Sequence, residues 1–184
     1  GLLWIRGQSN DYDNWRQQGN TGWGWEDVLP YFKKSENNEL GKSEFHNDDG
    51  PITVANKKIN LKLLDVFQNA CEEMGIPKTN DFNTGDNSGS GFFQFTTSHS
   101  YKKLLKLRCS AAKGYLDPIK KRSNLKIVVN AHVQKINFDN KKAVGVSFYL
   151  KNNLNTVKAN KEVILSAGSI GSPQILQVSG IGDS

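Results

Sequence analysis

The chain has 184 residues, with a hydrophobic fraction of 36%, an aromatic fraction of 10% and a formal net charge of +6. This length is sufficient for one domain or for parts of two, and the apolar and aromatic content excludes wholesale disorder. The sequence shows neither a signal-peptide pattern nor an apolar run of transmembrane length.

The excess of positive charge is mostly lysine, since only four residues of the chain are arginine. The lysines are spread along the chain, which favours a solvated surface over a nucleic-acid footprint. Cys71 and Cys109 are too few and too far apart for a disulfide framework or a metal knuckle. We therefore expect a reducing compartment, the cytoplasm, and leave association with a membrane open.

Two short helices are predicted near the start of the chain. Ser9 or Asn10 caps the first, at residues 11–16, and acidic residues in its first turn suit the helix dipole. The second covers residues 26–34. Its Pro30 lies within the first two turns, which favours a later start.

The middle of the chain predicts a strand, a longer helix and a second strand. The first strand covers residues 52–54. The helix covers residues 60–74, with Asn60 as its cap and Gly75 at its end, and its apolar residues recur at three- and four-residue spacing. A glycine-rich loop then leads to the second strand, at residues 92–97.

Beyond Ser110 the composition changes, and we place a domain boundary there. A helix over residues 111–117 is followed by alternating apolar and polar residues. This alternation predicts an antiparallel meander, with tight turns at Asp139–Asn140 and Asn152–Asn153. Its strands are predicted at residues 125–130, 133–138, 143–150 and 156–159.

The last twenty residues combine a strand, a turn of small residues and a helix. Residues 163–165 are an apolar run typical of a strand covered on both faces. The small residues 166–168 follow, the Ser172–Pro173 pair predicts a helix start, and Gly180 ends that helix. Dinucleotide sites are built from these parts, although the local pattern alone favours an ordinary strand-to-helix crossover.

Residues 168–182, Gly-Ser-Ile-Gly-Ser-Pro-Gln-Ile-Leu-Gln-Val-Ser-Gly-Ile-Gly, resemble a known signature over their full length. It is the second signature of the glucose–methanol–choline (GMC) family of flavin-dependent alcohol oxidoreductases. Trp4, Gly7 and Asp13 are similar to the tail of the first signature of that family. Seven further segments resemble recurrent family segments in the expected order: residues 6–7, 23–24, 28–32, 45–46, 50–51, 81–83 and 108–112.

The resemblance implies an α/β fold, here as an α+β fragment. The fragment would be part of a Rossmann-like FAD-binding domain with a β-meander, together with the start of a substrate-binding domain. Residues 1–35 would form a flavin-proximal segment with short helices, residues 36–109 part of the substrate-binding domain, and residues 110–184 part of the FAD-binding domain. Trp15 and residues 27–30 look closest to the choline-dehydrogenase-like branch.

The resemblance also implies FAD as the cofactor and, for the whole protein, oxidation of a choline-like primary alcohol by hydride transfer to the flavin. The expected partner is this small alcohol, with no nucleic acid. The electron acceptor stays open, and with it the choice between dehydrogenase and oxidase. The G-x-G-x-x-G motif of the family is expected before Gly1 and its catalytic His beyond Ser184, so we expect an internal fragment with no catalytic or metal-binding residue of its own.

Six residues are expected to bind FAD on the strength of the resemblance: Gly1, Leu2, Leu3, Val133, Ala167 and Gly168. The first three would lie along the flavin ring. The backbone of Val133 would meet the adenine end, although a valine in an alternating strand would otherwise be a core residue. Ala167 and Gly168 would lie against the ADP moiety, where small side chains allow close approach.

Histidine is the side chain that titrates near neutrality, so His46, His99 and His132 invite a catalytic interpretation. No Ser, Cys or carboxylate partner can be identified for any of them, and their spacing fits no metal motif. We therefore expect structural or surface roles. A second class of function, a non-catalytic basic module that binds nucleic acid or an anionic surface, rests on the net charge alone and predicts binding to duplex DNA that weakens steeply with salt.

The isolated 184-residue chain should neither oxidise alcohols nor hold FAD tightly. The helix N-terminus after the glycine-rich turn, which binds the pyrophosphate, is expected outside it. The strand at residues 163–165 would also present an unpaired edge and promote self-association. Flavin fluorescence and dye-linked turnover of the expressed chain measure this, and stoichiometric FAD retention would show that the cofactor site is misplaced.

Overall fold

Strands and helices are mixed along the chain, as the α/β prediction requires. The computed structural model describes residues 2–56, 61–97 and 107–182. Two compact units divide the chain, the first at residues 1–122 and the second at residues 123–184. This division by compactness falls after Arg122, and the functional roles assigned to the three sequence segments stay predictions.

A small mixed sheet organises the first unit. Its strands, with the bounds of each, are β1 (Leu3–Trp4), β2 (Glu36–Asn38), β3 (Ile52–Asn56) and β4 (Gln94–Phe95). They lie in the order β1-β4-β3-β2. Only β2 and β3 run parallel, whereas β4 is antiparallel to both β1 and β3. The strand predicted at residues 52–54 is confirmed, and the one at residues 92–97 is limited to β4.

The core of this sheet is small and apolar. Ile52, Val54 and Cys109 are buried against one another, and Trp4 packs on them. The Sγ of Cys109 lies 3.7 Å from the carbonyl oxygen of Pro51, to which it donates. The thiol is therefore a core group of the first unit.

The first two helices are stabilised by aspartates in their first turns. Helix α1 covers Ser9–Gln17 and helix α2 covers Trp25–Ser35. Asp11 accepts a hydrogen bond from the backbone N–H of Gln8, at 2.8 Å. The prediction that Ser9 or Asn10 caps α1 is therefore wrong, because the carboxylate of Asp11 reaches back to the residue that precedes the helix.

Pro30 lies inside α2, and the helix begins before it at Trp25. The later start favoured by this proline is therefore wrong. Asp27 accepts the backbone N–H of Gly24 at 3.0 Å and fixes the first turn. Trp25 and Leu29 bury the inner face of the helix, which offsets the one hydrogen bond that proline removes.

Helix α3 covers Lys62–Glu73 and follows Leu61. The predicted cap, Asn60, lies outside the described residues. The predicted apolar face is present but largely uncovered, since Leu63 is 77% and Phe67 63% exposed.

The chain between residues 111 and 117 is helical, as predicted, but as a wide π-helical turn, Ala112–Leu116. Close packing explains why a glycine lies within this turn. A Cβ on Gly114 would lie 2.7 Å from Cδ1 of Ile52.

The predicted meander forms the second unit. Its antiparallel strands are β5 (Ala131–Asp139), β6 (Lys142–Leu150) and β7 (Asn153–Lys158). Asn140 and Asn152 adopt positive φ of 53° and 65° in the two turns, as hairpin turns of this kind require. The strands predicted at residues 125–130 and 163–165 do not form, because neither segment pairs with another strand in the described part of the chain.

Helix α4 covers Gly168–Val178, so it begins four residues before the predicted Ser172–Pro173 start. Ser172 still serves the helix N-terminus, because its Oγ accepts the backbone N–H of Ala167 at 3.0 Å. At the other end, Ser179 joins the helix to β5. Its Oγ accepts the backbone N–H of Ile136 at 2.9 Å and donates to the carbonyl of Ile175.

Among the residues that the structure describes, no helix combines the length and apolar character that crossing a bilayer requires.

Replacing Gly145 with alanine should destabilise the second unit. An added Cβ would overlap the backbone carbonyl oxygen of Val157 on the neighbouring strand, and such crowding costs about 1–3 kcal/mol. Gly171→Ala is the control, because that glycine lies in α4 and a Cβ there meets only the Cβ of Ala167 at 3.3 Å. Thermal unfolding should show a lower Tm for Gly145→Ala alone, and equal Tm values would contradict the close approach of β6 and β7.

Candidate functional site

A group of buried polar side chains lies beside the sheet of the first unit. We call it the Glu36 cluster and define it as Arg6, Glu36, His46, Asp81 and Asn83. Arg6, Glu36, His46 and Asn83 are each at most 4% exposed. Arg6 and Glu36 form an ion pair with 2.7 Å between Nη2 and Oε1.

The carboxylate of Glu36, the first residue of β2, is the common acceptor of the cluster. Besides Arg6, it accepts hydrogen bonds from His46 Nδ1 at 2.8 Å, from Trp4 Nε1 at 3.0 Å and from the backbone N–H of Asn47 at 3.2 Å. These donors come from two separate parts of the chain, near its start and at residues 46–47. A buried carboxylate requires such surroundings, because burial without partners would be costly.

His46 lies between two carboxylates. Its Nε2 is 2.6 Å from Oδ2 of Asp81, and its Nδ1 contacts Glu36. Burial alone would lower the pKa of His46, but hydrogen bonds to Asp81 and Glu36 and their negative charges raise it to about 9. The expectation that no histidine has a carboxylate partner is therefore wrong for His46, since both partners are distant in sequence.

The two carboxylates are held in the charged state. Burial raises the pKa of Glu36, but the hydrogen bond from His46 and the charge of Arg6 more than offset this and lower it. For Asp81, burial is likewise offset by His46 and by the backbone N–H of Asn83, so its pKa is also lowered. Two positive and two negative groups therefore balance one another inside the unit.

The Glu36 cluster is suited to holding structure and not to moving protons. A general base works best when its pKa is near the operating pH, whereas His46 stays protonated to about pH 9 and is only 4% exposed. The structural role expected for His46 is consistent with this. His132 is exposed on β5, and His99 lies outside the described residues.

Asn83 joins the cluster to the backbone of β1 and of Arg6, two residues after its end. Its Oδ1 accepts the N–H of Arg6 at 2.8 Å, and its Nδ2 donates to the carbonyl of Trp4 at 3.2 Å. Nδ2 also lies 3.1 Å from Oε1 of the buried Gln94. The residues that follow the predicted flavin contacts are thus fixed at both backbone and side chain.

The predicted flavin contacts of the first unit form an accessible apolar surface. Leu2 is 41% and Leu3 51% exposed, while Gly1 lies outside the described residues. Leu3 also lines a cavity of about 450 Å³ that Trp4 and Cys109 share. Two segments on which the family resemblance rests, near the start of the chain and at residues 108–112, therefore meet at one cavity.

The predicted ADP contacts of the second unit are also accessible. Val133 is 36% exposed, so the core position that alternation alone suggested is wrong. Ala167 and Gly168 are exposed at the start of α4. Gly168 has a φ of +87°, and a Cβ there would meet nothing within 4 Å, which leaves an open backbone surface.

Sequence reasoning missed most of the Glu36 cluster. Four of its members lie in short segments that resemble family segments: Arg6, His46, Asp81 and Asn83. This shared placement is the one feature of the sequence that could have indicated the cluster. Glu36 lies in none of these segments. Within the described residues, no group of three or more His, Cys, Asp or Glu is arranged to hold a metal ion.

Comparison with known proteins gives a consistent family match. Residues 1–184 match the sequence model of the family described as GMC oxidoreductase. The oxygen-dependent choline dehydrogenase of Vibrio vulnificus is 42% identical over 99% of this chain and 32% of its own length. The human mitochondrial choline dehydrogenase is 39% identical over 99% of this chain and 30% of its own length. The chain thus spans roughly one third of the curated relatives it matches.

Solved structures share the fold. An FAD-dependent oxidoreductase from Chaetomium thermophilum matches 98% of this chain and 33% of its own, with a TM-score of 0.86 and 31% identity. Pyridoxine 4-oxidase from Mesorbium loti matches 98% of this chain and 35% of its own, with a TM-score of 0.85 and 24% identity, which bears on the fold alone. The predicted α/β fold class is confirmed.

Raising the pH should destabilise the first unit, because His46 loses its proton. Its pKa is about 9 in the folded chain and about 6.5 in an unfolded one. The stabilisation is therefore complete below about pH 6.5 and disappears as the pH rises through 9, a loss of about 3 kcal/mol. Urea unfolding measured across this range tests it.

His46→Gln should remove this alkaline slope, whereas His132→Gln, an exposed control, should keep it. Because the pKa values of Glu36 and Asp81 are lowered, a second loss of stability should occur as the pH falls below their usual range. A parent protein equally stable at about pH 6.5 and pH 10 would contradict the charged form of His46.

Proposed function

Because the chain belongs to the GMC oxidoreductase family, we propose that it is part of an FAD-dependent enzyme that oxidises a primary alcohol, with choline as the first candidate. The observation that carries this proposal is the match of residues 1–184 to the family, together with about 40% identity to choline dehydrogenases of distant organisms. The recognition of this family from sequence is confirmed. The activity and the substrate concern the whole protein, of which this chain spans one part.

The residues present fit FAD. Leu2 and Leu3 are exposed apolar side chains, which suit contact with a flat ring system. Ala167 and Gly168 offer small side chains and, at Gly168, open space where a Cβ would point. When bound, FAD supplies the acceptor for a hydride from the alcohol carbon.

The residues of this chain would bind FAD and orient it. Leu2 and Leu3 would exclude water from one side of the ring, and the backbone of Val133 would meet the adenine end of the cofactor. Ala167 and Gly168 would let the ADP moiety approach the start of α4, where free backbone N–H groups favour an anion. No side chain of this chain is assigned to the proton transfer.

The function is tested on the full-length protein. The purified protein should contain FAD, and choline should reduce a dye acceptor several-fold faster than simple alcohols such as ethanol do. Turnover with simple alcohols but not with choline would support the proposed class of enzyme and would show that choline is not its substrate. No flavin and no turnover with any primary alcohol would contradict the proposal.

Gly168→Ala should weaken FAD binding in the full-length protein. Gly180→Ala is a matched control, because Gly168 begins α4 and Gly180 follows its end. Their φ values are +87° and +82°, and a Cβ on either would meet nothing within 4 Å. Both substitutions should cost about 1–2 kcal/mol of stability through the positive φ. Only Gly168→Ala should also raise the dissociation constant of FAD, by about tenfold, as titration by flavin fluorescence would show. Equal FAD affinity in the two variants would overturn the placement of Gly168 at the cofactor.

A further inference from the structure

We propose that Glu36 is a positioning residue for the cofactor: its carboxylate fixes the strand that presents Leu3 to the flavin. The inference rests on the part of the proposed function in which Leu3 contacts the flavin ring. Glu36 itself is fully buried and would touch neither cofactor nor substrate. Its effect would pass through the side chains of the first strand.

The first step is the alternation of side chains along the extended start of the chain. Trp4 and Arg6 both reach the carboxylate of Glu36, through Nε1 at 3.0 Å and Nη2 at 2.7 Å. Residues two apart in an extended chain share a face, and their neighbours lie on the other. Leu3 and Ile5 accordingly remain 51% and 49% exposed. One face of this segment is held by Glu36, and the other is left free to meet a ligand.

The second step is that the bonds close into a ring. From Glu36 they run through His46 to Asp81, whose Oδ1 accepts the backbone N–H of Asn83 at 2.8 Å. Asn83 then binds the backbone of Trp4 in β1 and of Arg6 just after it. The side chains of Trp4 and Arg6 donate to the carboxylate of Glu36, which closes the ring. The strand is therefore fixed from two directions, through its side chains and through its backbone.

The third step concerns the register of the strand. Leu3 pairs with Phe95 of β4, and the backbone N–H of Thr96 donates to the carbonyl of Leu2 at 2.8 Å. With only two residues in β1, this ladder is too short to fix the strand by itself. Glu36 supplies the constraint that the sheet lacks, so loss of its charge should let Leu3 move.

The test compares Glu36→Gln and Trp4→Phe in the full-length protein. Trp4→Phe keeps the carboxylate and removes one donor to it, together with part of a ring that packs on the core, so it stays informative if Glu36→Gln does not fold. The matched controls are Glu44→Gln and Trp23→Phe, at exposed positions. The first readout is amide exchange at Arg6 and Thr96 without FAD, which should quicken about tenfold in both test variants and in neither control.

The second readout is the bound flavin. Both test variants should shift its visible absorption and lower kcat by about tenfold or more with little change in KM, because a small misplacement of a contact group is costly in the transition state. Unchanged exchange and an unchanged flavin spectrum in Trp4→Phe would overturn the inference.

Leu3→Ala separates failure of this inference from failure of its premise. If Leu3→Ala leaves the flavin spectrum unchanged, the proposed contact between Leu3 and the flavin is wrong, and the inference falls with it. If Leu3→Ala shifts the spectrum while neither Glu36→Gln nor Trp4→Phe does, the contact stands and the positioning role of Glu36 is wrong. A shift in all three supports both.

Discussion

The charge balance around the buried Glu36 carboxylate is the constraint on which the first unit depends. An isolated carboxylate in this position would be protonated or expelled, but Arg6 and His46 supply two positive charges at 2.7 and 2.8 Å. Asp81 then balances His46 on its far side. Removing one member of such a group is costly, because it leaves its partners buried and uncompensated. Segments far apart in sequence are therefore fixed to one another.

The two units present the predicted cofactor contacts by different physical means. In the first, buried ionic and hydrogen-bonded groups hold an extended segment whose free face carries Leu3. In the second, no buried charge is needed, since the start of α4 offers Ala167 and the left-handed Gly168 directly. Both surfaces are exposed, as expected for residues that receive a ligand. Under the proposed function, this exposure would leave both surfaces accessible to FAD.

The turns of the meander were predictable from sequence, whereas helix starts and long-range pairing were not. Asn140 and Asn152 mark their turns because asparagine tolerates positive φ. The later start of α2 that Pro30 favoured is wrong, because burial of Trp25 and Leu29 offsets the missing hydrogen bond. Residues 125–130 have a strand pattern, yet a pattern cannot show whether a partner strand is present. The role of Glu36 was not predicted, because its partners lie up to 32 residues away along the chain. The family resemblance located Leu2, Leu3, Val133, Ala167 and Gly168 as cofactor contacts, and these assignments stay predictions.

Photoaffinity labelling of the full-length protein with two FAD analogues tests the assignment of these cofactor contacts most directly. One analogue carries an azide on the flavin ring and the other on the adenine, and labelled peptides are identified by mass spectrometry. We expect the flavin probe to label the peptide with Leu2 and Leu3, and the adenine probe to label peptides with Val133 or with Ala167 and Gly168. Excess unmodified FAD should suppress both. Suppressible labelling confined to other peptides would contradict a cofactor site on this chain.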